Sequence, residues 1–187
     1  MLGIVQLSKE AIIKASVAIL SEYGLSDMTM RRVAKQLNVA PGALYWHFKN
    51  KQELIDATSR HLLAPVLEHS EEQQSSSSAQ ETCAELRALM LHTKDGAEIV
   101  SAALSNQLLR KDLESRISTS FDNPDEVGAF TLLHFVVGAV LTEQTQLQLQ
   151  ELTGDSEELD ATTSFERRFS QGVETIMAGL EALSHIR

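Results

Sequence analysis

The stretch from Thr29 to Lys51, TMRRVAKQLNVAPGALYWHFKNK, constrains this chain more than any other, because it reads as two short helices joined by a tight corner and followed by a third helix start. Thr29 is a good N-cap, and Met30, Val33, Ala34 and Leu37 recur at helical spacing, so they form one buried face and leave Arg31, Arg32 and Lys35 in solvent. Asn38 tolerates left-handed backbone angles and ends this helix, and Val39 plugs the corner. Pro41, whose missing N–H is not needed in a first turn, opens a second helix that runs to His47 and leads with Gly42 and Ala43. Small residues there let a helix N-terminus approach base edges and phosphates closely. Leu44 and Phe48 anchor the inner face as an i, i+4 pair, which leaves Tyr45, Trp46, His47 and Lys49 at the outer face or its rim. A phenol, an imidazole and ammonium groups all bind phosphate, so the segment carries the chemistry that a DNA major groove asks for.

This string resembles the DNA-binding signature of the TetR family of bacterial repressors, whose helix-turn-helix ends in a similar L-Y-x-H-F-x-N/D-K pattern. The resemblance extends back through Ser8 to Gly24 and forward through Glu53. It implies an all-α chain with an N-terminal three-helix helix-turn-helix domain over residues 1–51. A helix over 51–67 would link it to a larger helical ligand-binding and dimerisation domain over 68–187. The implied function is a ligand-responsive transcriptional repressor that binds a palindromic operator in double-stranded DNA as a homodimer and is released by a small-molecule inducer. Arg31 and the leading residues Pro41, Gly42 and Ala43 would then reach base edges, while Thr29, Tyr45, His47 and Lys51 hold phosphates, with Arg32 and Trp46 in the same interface. Pro41 stands where relatives of the tetracycline type have a polar residue, and it brings no side-chain donor.

The rest of the chain also reads as helices, with no strand expected. Ser8 caps a scaffold helix running to about Tyr23, with Ile12, Ala15 and Ile19 inside and Gly24 as terminator. Asn50 and Glu53 have capping-box spacing and start the linking helix, which continues through Leu54, Ala57, His61 and Leu62 to a kink or end near Pro65. Glu71 to Gln80 contains four consecutive serines and is expected to be a surface loop, with the body resuming near Glu81. Leu86, Leu89 and Met90 mark one body helix, a short piece follows Asp95, and Ser105 or Asn106 opens another with Leu109, Leu113 and Ile117 inside. Asn123-Pro124-Asp125-Glu126 is a strong start signal for a helix to about Leu152. Thr163 with Glu166 has capping-box spacing ahead of a last helix carrying Phe165, Phe169, Val173, Ile176, Leu180 and Leu183.

Between Phe130 and Leu141 the long helix is apolar almost all round, so it must be covered on more than one side. Together with the last helix it resembles the TetR-family dimer interface, a four-helix bundle made by two helices of each subunit.

Net charge looks wrong for a DNA binder until it is divided. The chain of 187 residues carries −10. Residues 1–60 hold eight lysines and arginines against five acids, while the remainder holds eight against twenty-one. A positive head can face phosphates while an acidic body is held off by repulsion. No apolar run is expected to reach membrane-span length and no secretory signal is evident, which points to a cytoplasmic protein without a membrane partner. Cys83 is the only cysteine, so it forms no internal disulfide and is expected to be a small buried apolar residue.

Leu91 to Ala97, LHTKDGA, and His134 to Gln144, HFVVGAVLTEQ, resemble the tetracycline-sensing subclass of the family. Those members carry a metal-ligating histidine where this chain has Val100, a threonine where it has Ala103, and an acid where it has Thr142. A magnesium-chelated drug needs oxygen and imidazole ligands, so the likeness is one of body plan, and neither a metal nor a cofactor is expected. Lined up with that subclass, the pocket would draw on Leu86, Met90, Val100, Ala103, Leu113, Arg116, Ile117, Phe130 and His134, with the linking-helix end His61 to Leu67 as the place where a ligand acts. A lining this apolar implies a mostly apolar ligand. His134 is expected to be a hydrogen-bonded core histidine and Arg116 to face solvent; an inward Arg116 would imply an anion or a carbonyl group on the ligand. No nucleophile elbow, phosphate loop or paired metal-ligand histidines are present, so no catalytic residue and no enzymatic activity is expected. The competing reading is a helical protein of this fold acting as an interaction module, or as an activator without small-molecule induction.

Overall fold

The computed structural model describes residues 7–68, 78–121, 125–153 and 158–184, and every regular element among them is a helix. In chain order these are α1 (Lys9–Tyr23), α2 (Met30–Gln36), α3 (Pro41–Leu44), α4 (Lys51–Leu62), α5 (Ala64–Leu67), α6 (Ala79–Leu91), α7 (Gly96–Ala103), α8 (Gln107–Ser118), α9 (Glu126–Thr153) and α10 (Glu158–Ser184).

Local chemistry sets the boundaries in the N-terminal third. The Ser8 hydroxyl accepts from the Ala11 amide, Thr29 from Arg32 and Asn50 from Glu53, so each helix start has one of its orphan donors satisfied. Asn38 turns the corner after α2 at φ 55°, as the sequence reading expects. Ile12, Ile19, Leu20, Met28, Val33, Leu44 and Leu54 fill one core that holds α1, α2, α3 and the start of α4 together.

The second short helix is tighter than expected: regular helix ends at Leu44, and Tyr45 to His47 form a turn. The linking helix is also broken, because α4 stops at Leu62 and α5 restarts at Ala64, with Leu63 between them. Pro65 lies in the first turn of α5, where its missing N–H leaves no backbone bond unmade.

In the body, α9 is the central helix, packed against α6, α7, α8 and α10. Ala129, Leu132, Leu133, Val136, Val137 and Val140 are its buried stripe. Each buried Leu or Val contributes about 1.5–3 kcal/mol relative to an exposed one. Contrary to expectation, α9 is long and apolar enough to cross a bilayer by length and composition, with a mean hydropathy of 1.4 over its best window. Here the buried stripe of α9 belongs to the core of a helical bundle, and its other apolar side chains remain exposed in the protomer.

Three helix starts differ from the sequence reading. Ser78 caps α6 in a full capping box with Glu81, so the expected loop to Gln80 ends earlier; residues 71–77 lie outside the described residues. Asp125 supplies the cap of α9 by accepting from the Gly128 amide at 2.8 Å, and Asn123 and Pro124 lie outside the described residues. The last helix does not start at Thr163, because α10 begins at Glu158 and runs through that position. Capping-box spacing is a local signal, and here packing of α10 along α9 overrides it.

Cys83 is fully buried, and burial alone pushes its thiol pKa up to about 12. A maleimide is therefore expected to label it only as fast as the chain unfolds. Rapid labelling of the folded protein, followed by mass spectrometry, would contradict this placement.

Candidate functional site

The α2 to α4 face presents its polar groups outward. Arg31 and Lys35, one turn apart on α2, are exposed, and with Tyr23, Asp27, Thr29, Arg32 and Gln36 they line an open groove of about 710 Å³. Trp46 is 90% exposed and Tyr45 53%. A tryptophan held in water gains nothing for this fold and suits an aromatic anchor at an interface. Leu44 and Phe48, both buried, fix the turn that carries them. A Cβ built on Gly42 would meet nothing within 4 Å, so internal packing does not require glycine there. The open side leaves room for a close partner.

All ten residues expected to face DNA lie on this face with their side chains or backbone open or at the rim: Thr29, Arg31, Arg32, Pro41, Gly42, Ala43, Tyr45, Trp46, His47 and Lys51. Lys51, in the first turn of α4, places its Nζ 3.5 Å from the Leu25 carbonyl. Arg32 differs. Its guanidinium pairs with Asp27 and lies 3.8 Å from the centroid of the Tyr23 ring, so it braces the α1–α2 corner. Lys35 and Tyr23 were missed as groove residues. For Lys35 the signal was available, since it is i+4 to Arg31.

The body side departs further from expectation. Leu86, Met90, Val100, Ala103, Leu113 and Ile117 are all buried and belong to the core, as the apolar stripes imply. Phe130 and His134, by contrast, point away from it. Phe130 is half-exposed, His134 is exposed with Nδ1 2.8 Å from the Phe130 carbonyl, and the two rings lie 4.1 Å apart. The reason is helical phase: positions 127, 130, 134 and 141 fall opposite the buried stripe of α9. His134 is therefore no core histidine in the protomer. His61 is exposed as well. It sits on the α1 side of α4, close enough to add to the lowering of the Glu10 carboxylate pKa, which comes mainly from the hydrogen bond and charge of Lys14.

Arg116 reverses in the other direction, for it is only 5% exposed. Desolvation lowers its pKa, with the charge of Glu85 opposing that effect. It lines a polar cleft of about 230 Å³ between α4, α5 and α8, together with Arg60, Leu67, Asp112, Ser115 and Thr119. Arg60 reaches across this cleft to Asp112 at 2.5 Å. At the metal-ligand positions of the tetracycline-sensing proteins, Val100 and Ala103 are buried apolar side chains. Thr142 is exposed and bonds its own helix at Gly138. Among the described residues no three His, Cys, Asp or Glu side chains converge to form a metal site.

Between head and body lies a seam that sequence reasoning did not find. Asp95, in left-handed conformation at φ 53° before α7, accepts from the Leu25 amide at 2.8 Å and from Gln148 Nε2 on α9 at 2.6 Å. Along α4, Gln52 donates to the Ala102 carbonyl, Ser59 to Ile99, and Asn106 donates to Asp56. Gln144 closes the α6–α7 turn by accepting from the Ala97 amide and donating to the Met90 and Thr93 carbonyls. Thus α7 contacts the DNA-side helix α4 and the central helix α9 at once.

Residues 12–58 match the model of the bacterial regulatory proteins, tetR family. The class A tetracycline repressor protein from transposon 1721 of Escherichia coli is 33% identical over 147 residues, covering 74% of this chain and 68% of that protein. The crystal structure of BioQ with its natural double-stranded DNA operator superposes with a TM-score of 0.74 at 32% identity, covering 94% of this chain and 98% of that one. A variant of TetR from Acinetobacter baumannii AYE, in complex with minocycline, gives a TM-score of 0.69 at 26% identity over 95% and 98% of the two chains. With a matching helix-turn-helix and a likeness that continues through the helical body, this chain belongs to the TetR family of bacterial regulatory proteins.

Proposed function

We propose that this protein is a cytoplasmic transcriptional repressor that binds a palindromic DNA operator as a homodimer and is released by a small molecule. The observation that carries the reading is the solvent-open α2–α4 face with Arg31, Tyr45, Trp46 and Lys51, on a chain similar throughout to BioQ, which was crystallised on its operator. Residues 1–51 form the DNA-binding domain in this reading, with 68–187 as the sensing and dimerising body. A gel shift with DNA upstream of the protein's own gene tests it: no shift with that DNA at low salt would refute operator binding there.

Within the interface, Arg31 and the α3 start read base edges while Thr29, Tyr45, His47 and Lys51 hold phosphates. Lys51→Ala is expected to weaken all sequences alike and to flatten the salt dependence by about one unit, whereas Arg31→Ala relaxes preference at one base pair. Equal loss of discrimination from the two variants, measured on a panel of operator mutants, would contradict this division.

Dimerisation is supported by a stripe that one protomer leaves in water: Val127, Phe130, Leu141, Leu149 and Leu152 on α9, with Leu183 on α10. Recognition helices in such a dimer should sit about 34–36 Å apart, or a small multiple of that, to enter major grooves on one face of the duplex. Phe130→Glu places a charge in the apolar stripe and is expected to yield monomers by analytical ultracentrifugation. A Phe130→Glu protein that still sediments as a dimer would move the interface elsewhere.

The inducer follows from the body. The residues lined up with the sensing pocket, among them Leu86, Met90, Leu113 and Ile117, are apolar and buried in the body, which favours an apolar molecule. Release independent of magnesium is the expected result, because no oxygen or imidazole ligand stands at positions 100 and 103. Loss of release on adding a chelator would overturn it.

A further inference from the structure

An acid stands on the face that would meet DNA. Asp27 lines the open groove beside α2 together with Arg31, Arg32 and Lys35, and phosphates repel a carboxylate there as they attract its neighbours. Folding stability does not account for it. Asp27 and Arg32 keep 43% and 36% of their side chains exposed, and an ion pair so open adds little to a fold.

What Asp27 does is hold one arginine. Its Oδ1 accepts from Arg32 Nη1, and the same guanidinium lies over the Tyr23 ring, 3.8 Å from the centroid. A carboxylate at its edge and a ring against its plane fix this flat cation from two directions. The backbone closes the unit: the Arg32 amide donates to Thr29 Oγ1 at 3.2 Å, and the Thr29 amide donates to the Asp27 carbonyl at 2.8 Å. Arg31 and Lys35 are exposed, and among the described residues no ion pair or hydrogen bond engages their side chains. Of three cations in the groove, one is therefore withheld. The difference matters for sequence reading. A free guanidinium beside Arg31 would meet a phosphate in any register on any duplex, whereas contacts to base edges are made in one register only.

We propose that Asp27 is a specificity-determining residue: with Tyr23 it holds Arg32 off the DNA backbone, so that the docked register depends on Arg31 and not on an indiscriminate phosphate contact next to it. Arg32 then adds nothing to the count of phosphates bound, although it sits on the DNA face. The assignment deepens the operator-binding role proposed above and rests on it.

The experiment is fluorescence anisotropy of the full-length protein over a salt series, with a duplex from upstream of its own gene and a scrambled duplex of the same composition. Asp27→Ala should strengthen binding to the scrambled duplex several-fold and steepen its salt dependence by about one unit, as Arg32 gains a phosphate. Preference for the upstream duplex should fall several-fold in the same variant, and Asp27→Glu should keep the parental preference. In the double variant carrying Asp27→Ala and Arg32→Gln the gain should vanish, which separates holding Arg32 from merely removing a negative charge. Arg32→Gln alone should leave both salt dependences as in the parent, unlike Lys51→Ala. A brace with no further role would weaken the upstream duplex in Asp27→Ala and leave the salt dependence alone. That result, a gain that survives in the double variant, or a flatter salt dependence in Arg32→Gln would each overturn the proposal. A parent that binds the upstream duplex while its variants behave alike refutes this assignment only; a parent that binds neither duplex at low salt refutes the operator reading and this assignment with it.

Discussion

Truncating Arg87 to alanine is expected to destabilise the protein by about 3–5 kcal/mol, because it leaves a carboxylate inside the body without its cation. Arg87 Nε and Nη2 lie 3.0 and 2.6 Å from the two oxygens of Glu143, a bidentate pair with side-chain exposures of only 15% and 3%. The same guanidinium lies 5.4 Å from the Phe169 ring centroid, so one ion pair ties α6, α9 and α10 together. For a chain of this size each kcal/mol moves Tm by about 2–4 °C, which puts the expected drop at roughly 6–20 °C. The loss comes from stranding a charge more than from deleting an attraction. Replacing both residues by methionine is therefore expected to be far less damaging than Arg87→Ala alone. Thermal and urea unfolding followed by circular dichroism give both values. If Arg87→Ala proves as stable as the double variant, the stranded-charge account is wrong.

The expected size of that effect shows where sequence reading stopped. Glu143 and Gln144 stand in the string HFVVGAVLTEQ, which was read for its resemblance and for a missing metal ligand, although both side chains are buried and bonded across the body. Their partners lie 56 and 47 residues away, and periodicity along one helix carries no information about pairs so distant. The head was legible for the opposite reason. Ser8, Gly24, Thr29, Asn38 and Asn50 act on amides and backbone angles within a few residues of themselves, so caps and turn chemistry fixed α1 to α4.

Arg116 and His134 changed sides because orientation was the missing quantity. A helix apolar almost all round, as α9 is from Phe130 to Leu141, has no polar face to say which stripe meets its own core and which is left over. On α8 Arg116 is buried with Leu109, Leu113 and Ile117, and the Glu85 charge that acts on it lies on α6, which periodicity along α8 cannot show. Charged residues are ranked as exposed by default, and functional sites are where that default fails.

Asp95→Ala is expected to loosen the head from the body while leaving each folded. Its carboxylate takes the Leu25 amide and the Gln148 side chain, and hydrogen bonds to a charged group contribute about 1.5–3 kcal/mol each. The Leu25 amide comes from the turn directly after α1, in a residue only 8% exposed, so its loss of a partner is not repaired by water at little cost. Asp95→Asn is expected to be intermediate: one amide oxygen still serves one donor, but the NH2 group faces the other donor and cannot accept from it. Gly24 reaches the same seam from the opposite side. Its φ of +88° already excludes most side chains, and a Cβ there would lie 2.4 Å from Asp95 Oδ2, so Gly24→Ala should disturb the same contact. Hydrogen exchange is the direct readout, with the Leu25 amide and the last turn of α1 losing protection in Asp95→Ala while the α9 core keeps its own. The functional consequence follows from what coupling requires: a ligand in the body changes DNA affinity only as far as the two parts constrain each other. Release ratios of regulators are typically about 5–150-fold. In Asp95→Ala the ratio should fall toward one as operator affinity persists, with Gln148→Ala between it and the parent. Unchanged exchange at Leu25 together with an unchanged release ratio would show that the α4–α7 contacts carry the coupling without Asp95.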